Sequence, residues 1–254
     1  MFGRIGIFIY GVLSYAIFFA TFLYAVGFIG GFGVPVTIDG EPAVPLGLAL
    51  LIDTLLLGAF AVQHSVMARP VFKRWWTRIV PDAAERSTYV LFSSLLLIAL
   101  FVYWEPIGGV IWDVQDPLAK GVLYGIFALG WLTVLVATFL INHFDLFGLR
   151  QVWLHLTDKP YTHLRFGMPW LYRHVRHPLY VGWFMAFWAT PHMTAAHLLF
   201  ALATTAYILI AIRFEERDLL QVHPEYAEYR RRVPMLIPRF KRSGNAQPPV
   251  AQTA

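Results

Sequence analysis

Residues 179–212 read LYVGWFMAFWATPHMTAAHLLFALATTAYILIAI, an apolar run of 34 residues without one Asp, Glu, Lys or Arg. As a single α-helix it would be about 51 Å long at 1.5 Å per residue. A bilayer core is about 30 Å thick, and one span takes roughly 20 residues. The run is too long for one crossing and short for two. Its flanks decide between them. Arg173 and Arg176 precede it, and Arg213 and Arg217 follow it. Lys and Arg mark the cytoplasmic side of a membrane, so a run with basic flanks at both ends crosses an even number of times. The break falls at Thr190-Pro191-His192-Met193-Thr194, because proline disrupts a helix interior and its polar neighbours suit a turn. The expected structure is a tight helical hairpin with a short first arm. Such an arm must pack on other helices, which leaves room for a cleft open to the cytoplasm. The competing reading, one long tilted helix kinked at Pro191, would put the basic tail on the wrong side.

Four more apolar runs lie upstream, at about 5–29, 44–66, 87–104 and 119–141. The segments between them alternate in charge. Residues 30–43 and 105–118 carry Asp and Glu but no Lys or Arg. Residues 68–86 carry Arg69, Lys73, Arg74, Arg78 and Arg86, and residues 142–178 carry Arg150, Lys159 and Arg165 besides Arg173 and Arg176. The tail adds Arg230, Arg231, Arg232, Arg239, Lys241 and Arg242. The fold class that follows is an all-α polytopic membrane helix bundle, with four spanning helices and a C-terminal helical hairpin. Both termini are expected to face the cytoplasm. The first run is longer than a signal-peptide core of about 7–15 residues and no Ala-x-Ala-like site follows it, so it reads as a retained helix.

Only 14% of residues are charged, against about 25% in soluble domains. The deficit extends along most of the chain, so residues 1–242 read as one membrane domain and the Pro-, Gln- and Ala-rich residues 243–254 as a disordered tail. The net charge of +5 is accounted for by the basic flanks, so no nucleic-acid partner is expected; membrane lipids are. With no cysteine, disulfides, thiolate metal sites and a cysteine nucleophile are excluded. Only one histidine pair, His174 and His177, has close spacing, so no metal site is expected. The oligomeric state is not legible.

Ionisable residues near a membrane core are costly and therefore functional suspects. In Arg173-His174-Val175-Arg176-His177-Pro178-Leu179-Tyr180-Val181-Gly182-Trp183, Pro178 suits a first helical turn, which would leave a helix N-terminus attractive to an anionic group. Gly182 allows a ligand or another helix to come close. The same stretch also reads as an amphipathic helix start. In Arg213-Phe214-Glu215-Glu216-Arg217-Asp218, a carboxylate aimed at the hairpin start could take an ammonium or ribose hydroxyls, or simply pair with Arg213 and Arg217. In Asn142-His143-Phe144-Asp145-Leu146-Phe147-Gly148-Leu149-Arg150-Gln151, a continuous helix would place His143 and Arg150 on one face. His64, beside Gln63, reads as a packing residue at the depth of the cleft.

Together, Arg176-His177-Pro178-x-Tyr180-x-Gly182-Trp183, Glu215-Glu216, Tyr226-x-x-Tyr229 and Val233-Pro234-x-Leu236-Ile237-Pro238 resemble the C-terminal signature of isoprenylcysteine carboxyl methyltransferases and related membrane methyltransferases. The resemblance implies an S-adenosylmethionine pocket in a region of about 142–242. Arg176, His177, Pro178, Tyr180 and Gly182 would line it, and Glu215 and Glu216 would close it. Gln63-His64-Ser65-Val66-Met67-Ala68-Arg69-Pro70, Glu85-Arg86-Ser87-Thr88-Tyr89 and the 142–148 stretch resemble the nurim/NnrU-like branch. Within it they are most similar to bacterial methyltransferases that make dimethyl sulfide from methanethiol, which implies S-adenosylmethionine-dependent methylation of a small thiol. The alternatives are a lipid-linked acceptor such as prenylcysteine, or a non-enzymatic or haem-associated membrane protein. A thiol attacks as its thiolate, so a base is needed. The expected base is His143 aligned by Asp145, with His64 second, and with Arg150 stabilising the thiolate.

Overall fold

The computed structural model describes residues 2–162 and 167–238. Arg165, Arg239, Lys241, Arg242 and the 243–254 tail lie outside the described residues. Among the described residues, five helices are long and apolar enough to cross a membrane: α1 (Phe2–Gly30), α2 (Leu46–Ala68), α4 (Asp82–Tyr103), α5 (Pro117–Ile141) and α9 (Ala195–Val222). Between them lie α3 (Pro70–Trp76), β1 (Val110–Asp113), α6 (His143–Leu146), α7 (Leu149–Leu156), α8 (Pro178–Trp188) and β2 (His192–Thr194), and α10 (Tyr226–Arg232) follows. The chain is a multi-pass membrane helix bundle. Its Lys/Arg-rich segments gather at one end, where Arg4 pairs with Asp158 and Arg69 with Asp218. The acidic loops meet at the other, where Thr194 bonds Asp39.

The last apolar run is a hairpin and not one kinked helix. His177 lies beside Glu216, Tyr180 donates to Glu215, and Trp188 Nε1 donates to Thr205 Oγ1 at 3.0 Å. Partners that climb in one arm and descend in the other require antiparallel arms. The turn is wider than the tight one expected. With 11 residues, α8 is about 16 Å long, so it stops partway through a bilayer of about 30 Å. Residues 189–194 complete the ascent outside any helix. Their backbone needs partners at membrane depth, and β1 supplies them in a two-stranded antiparallel pair that sets Asp113 against His192. Trp112 Nε1 donates to the Thr190 carbonyl at 3.0 Å, and the Val114 N–H donates to that of Pro191 at 2.9 Å.

The short arm is held by α5. A Cβ built on Gly182 would lie 2.7 Å from the Gly130 carbonyl oxygen and 2.8 Å from the Val134 nitrogen. One built on Gly130 would lie 2.6 Å from the Ala186 nitrogen. The two backbones touch, as small residues allow between membrane helices. Of the two uses open to Gly182, its missing side chain serves helix packing. Aromatic rings fill the layer around this crossing, with Trp131 against Trp183 at 5.2 Å and Phe187 against Phe200 at 5.0 Å.

The 142–151 stretch is not one helix. Asn142 has φ 153° and Gly148 has φ 89°, and both break the path. Gly148 packs where a Cβ would stand 2.8 Å from the Ser87 nitrogen. The shared face of His143 and Arg150 therefore does not form.

Candidate active site

The base of the hairpin is tied on one carboxylate. Glu216, on α9, is 5% exposed. One of its oxygens accepts from Arg176 Nε at 2.7 Å and from the Tyr226 hydroxyl at 3.3 Å, and lies 3.1 Å from His177 Nε2. The other lies 3.2 Å from Arg230 Nε. Arg176 also donates to the Arg230 and Val233 carbonyls. The Arg176 and His177 N–H groups donate to the carbonyls of Pro234 and Met235 at 2.8 and 3.2 Å. The tail after α9 thus folds back across the His177-Pro178 start of α8, and the Tyr229 hydroxyl fastens it to the Tyr172 carbonyl at 2.7 Å. Burial raises the Tyr226 hydroxyl well above the usual phenol range and Tyr229 to about 12, so both act as neutral donors.

Glu215 is different. It is the neighbour of Glu216 on the same helix, turned away by about 100°, and its side chain is 44% exposed. Oε2 accepts from the Tyr180 hydroxyl at 2.8 Å and lies 3.8 Å from His177 Nδ1. Oε1 has no partner among the described residues. Neither carboxylate pairs with Arg213 or Arg217 among the described residues. The first turn of α8 is met by carboxylates of the chain itself. The chain's own Glu215 and Glu216 already face it, and Pro178 at its head is buried. What remains open is a carboxylate oxygen, which suits a cation or hydroxyl groups. His174 and His177 part company: His177 is buried on Glu216, and His174 is exposed.

His143 is 2% exposed and stacks on Phe139 at 4.2 Å. Thr138 Oγ1 gives its hydrogen to the Leu135 carbonyl at 2.7 Å, so it accepts from His143 Nδ1 at 2.8 Å. Nε2 then carries the lone pair, and the Tyr15 hydroxyl, 2.8 Å away, donates to it. Burial holds the ring below its usual value of 6.5, so it is neutral at neutral pH. Asp145 does not align it. That carboxylate takes Arg150 at 2.8 Å and the Tyr161 hydroxyl at 3.3 Å, while Arg150 also reaches the carbonyl and hydroxyl oxygens of Thr162. The expected His143–Asp145–Arg150 set separates into an enclosed histidine and a surface knot, because the chain turns at Gly148.

His64, on α2, meets polar groups of α4. Ser93 Oγ is 3.2 Å from Nδ1, and the Tyr89 hydroxyl lies 3.0 and 2.9 Å from Nδ1 and Nε2. Tyr207 on α9 bonds Ser65 at 3.1 Å. The Tyr180 hydroxyl lies within electrostatic reach of Tyr207 and Tyr89 as well as of Glu215. Tyr89 stands in a motif quoted above, but only the fold puts it on His64. Tyr207 and Arg230 had no signal beyond polarity.

The chain is 58% identical over 236 residues to methanethiol S-methyltransferase of Crocosphaera subtropica, covering 92% of each chain. It is 55% identical over 231 residues to methanethiol S-methyltransferase of Mycobacterium tuberculosis, covering 91% of this chain and 95% of that one. Nurim of Sus scrofa is a more distant relative, 32% identical over 180 residues and 66% of each chain. No family model and no solved structure matches. With more than half of its residues shared with such enzymes over nine-tenths of its length, the chain belongs to the methanethiol S-methyltransferase family.

Proposed function

We propose that the protein methylates methanethiol to dimethyl sulfide with S-adenosylmethionine as donor, at the base of the α8–α9 hairpin. The observation that carries the donor site is Oε1 of Glu215, without a partner among the described residues, on a side chain held in place by Tyr180 beside His177. S-adenosylmethionine carries an ammonium, ribose hydroxyls and a sulfonium cation, and an ionised carboxylate is an acceptor-only group that suits all three. When bound, it supplies a methyl group on positively charged sulfur. The chain's own residues do the rest. Glu215 binds, and Tyr180 orients it. Glu216 and Arg176 clamp residues 233–235 over His177 and Pro178, which keeps the Glu215 side of the hairpin in register. In-line displacement gains much of its acceleration from such positioning. On the acceptor side, His64 replaces His143 as the proton acceptor. His143 has both ring nitrogens bonded by Tyr15 and Thr138 within an aromatic shell.

Residues 1–242 act as one domain, with the Lys/Arg-rich end and both termini in the cytoplasm of a bacterial inner membrane. S-adenosylmethionine, a cytoplasmic metabolite, then reaches Glu215 from that side, and methanethiol partitions in from the bilayer. The purified protein, supplied with methanethiol and S-adenosylmethionine bearing a deuterated methyl group, is expected to release dimethyl sulfide with one deuterated methyl in the headspace. Headspace mass spectra showing no labelled dimethyl sulfide would overturn the reading.

A further inference from the structure

Residues 70–80 follow α2 at the Lys/Arg-rich end. The helical path of α3 runs on past Trp76, because the Thr77 and Val80 N–H groups donate to the carbonyls of Lys73 and Trp76. On such a path residues four apart share an edge. Val71, Trp75 and Ile79 form one edge, and all three large apolar side chains are exposed. Arg74 and Arg78 form the next edge, exposed and without an acidic partner among the described residues. Trp76 and Val80 form a third edge, which walls a groove of about 490 Å3. That volume falls within the range of about 300–1,000 Å3 found for ligand pockets. The other walls are α1, at Gly3 and Gly6, and α4, at Phe92. The two glycines meet nothing. A Cβ built on either has no atom within 4 Å, whereas one built on Gly11, further along α1, would lie 2.6 Å from Val152. Glycine inside a helix is destabilising relative to alanine, and no neighbour requires it here. What the missing side chains leave open is the groove.

We propose that this groove binds one anionic phospholipid, with an acyl chain between Gly6 and Trp76 and the phosphate on Arg74 and Arg78. An amphipathic segment with arginines on one edge and Trp and Ile on the next lies in the plane of a membrane interface. Tryptophan rings settle at the headgroup level, and cations there attract anionic lipids. The charge of the segment selects an anionic headgroup over a zwitterionic one. Residues 70–80 carry Lys73, Arg74 and Arg78 and no carboxylate, and Lys73 alone is matched, by Glu85 at 3.8 Å. On the α1 side Arg4 already pairs with Asp158. Asp82, the carboxylate next to this segment in sequence, stands in the first turn of α4, where the helix N-terminus favours negative charge. The chain's own tail does not suit the groove, since Arg239, Lys241 and Arg242 would meet the same two arginines. An isologous second copy would bring two such basic edges to one interface. The groove shares no residue with the donor site on α8 and α9, so its occupancy does not depend on the reading of that site.

Native mass spectrometry of the detergent-purified full chain counts bound lipid. Phosphatidylglycerol and phosphatidylcholine with the same acyl chains are compared, with glycerol phosphate as the headgroup alone. Wild type is expected to retain one phosphatidylglycerol in preference to phosphatidylcholine, and no glycerol phosphate, because the acyl chain supplies the apolar half of the binding. The double variant Arg74→Gln/Arg78→Gln should weaken phosphatidylglycerol on the order of tenfold and leave phosphatidylcholine where it was. Gly6→Leu fills the groove and should weaken both lipids. Gly47→Leu on α2, where a built Cβ likewise meets nothing, should weaken neither. Thermal unfolding beside each variant verifies that the fold is kept, and the exposed arginines give a test that does not touch packing. Equal retention of the two lipids by wild type would overturn the proposal, and so would unchanged phosphatidylglycerol binding in the arginine variant or in Gly6→Leu. Glycerol phosphate held as tightly as phosphatidylglycerol would overturn the acyl seat. A dimer that disappears in Gly6→Leu would give the groove to a second copy and overturn the lipid assignment.

Discussion

Glu216→Gln is expected to unfold the protein roughly 10 °C below wild type, taking about 2–4 °C per kcal/mol for a domain of this size. The Arg176 side chain is 10% exposed and that of Glu216 7% exposed. Removing one partner of a buried ion pair leaves an uncompensated charge and costs about 3–5 kcal/mol. The loss does not stay local. Arg176 also holds the carbonyls of Arg230 and Val233, so the segment across His177 and Pro178 loosens with it. Adding Arg176→Gln to the same chain should recover part of the loss, because no orphan charge then remains. Thermal unfolding in detergent, followed by tryptophan fluorescence, measures both. A Glu216→Gln midpoint equal to wild type would show that the carboxylate does not hold the hairpin. The same reasoning makes Glu216 a poor probe of ligand binding, since its variants would lose function through folding.

Gly182→Leu is expected to abolish the folded state, and Gly182→Ala to cost about 1–3 kcal/mol, the usual range for overpacking. The atoms in the way are backbone, the Gly130 carbonyl and the Val134 nitrogen, and backbone cannot rotate aside as a side chain can. Separating α5 from α8 would also draw Tyr180 away from Glu215. Gly125 on the same α5 is the control, because nothing lies within 4 Å of a Cβ built there. Gly125→Ala should be neutral or gain up to about 1 kcal/mol of helix propensity. Monodisperse yield after size-exclusion chromatography, followed by thermal unfolding, separates the cases. A Gly182→Leu variant as stable as wild type would mean that α8 does not need the contact.

The crossings were legible because charge and apolar length are properties of the chain itself. The alternation of acidic and basic segments requires no knowledge of packing, and Pro191 marks the break in the last run. The extended 189–194 arm was not legible, since its partner Val110–Asp113 is four residues long and lies within an acidic loop. At the site, the Arg-His-Pro start and the paired glutamates were legible as a set. Their division of labour was not, because it depends on Tyr226 and Arg230 returning in space to Glu216. The shared helix face expected of His143 and Arg150 does not form, on a signal that the sequence carries. Gly148 sits inside the stretch, and a helix assumed to run through it put side chains on a face that does not exist. The sequence around His64 shows no partner for its ring, because Tyr89 and Ser93 come from another helix.

Calorimetric titration of the detergent-purified protein with S-adenosylhomocysteine, beside Glu215→Gln, tests the donor site most directly. A half-exposed carboxylate outside the Glu216 knot should change without harm to the fold, so both proteins should unfold at the same temperature. Saturable binding by wild type, weakened about tenfold or more in Glu215→Gln, is the result expected from losing a charge-assisted hydrogen bond worth about 1.5–3 kcal/mol. Equal affinity in the two proteins, or no binding by wild type, would contradict the placement of the methyl donor at the base of the hairpin.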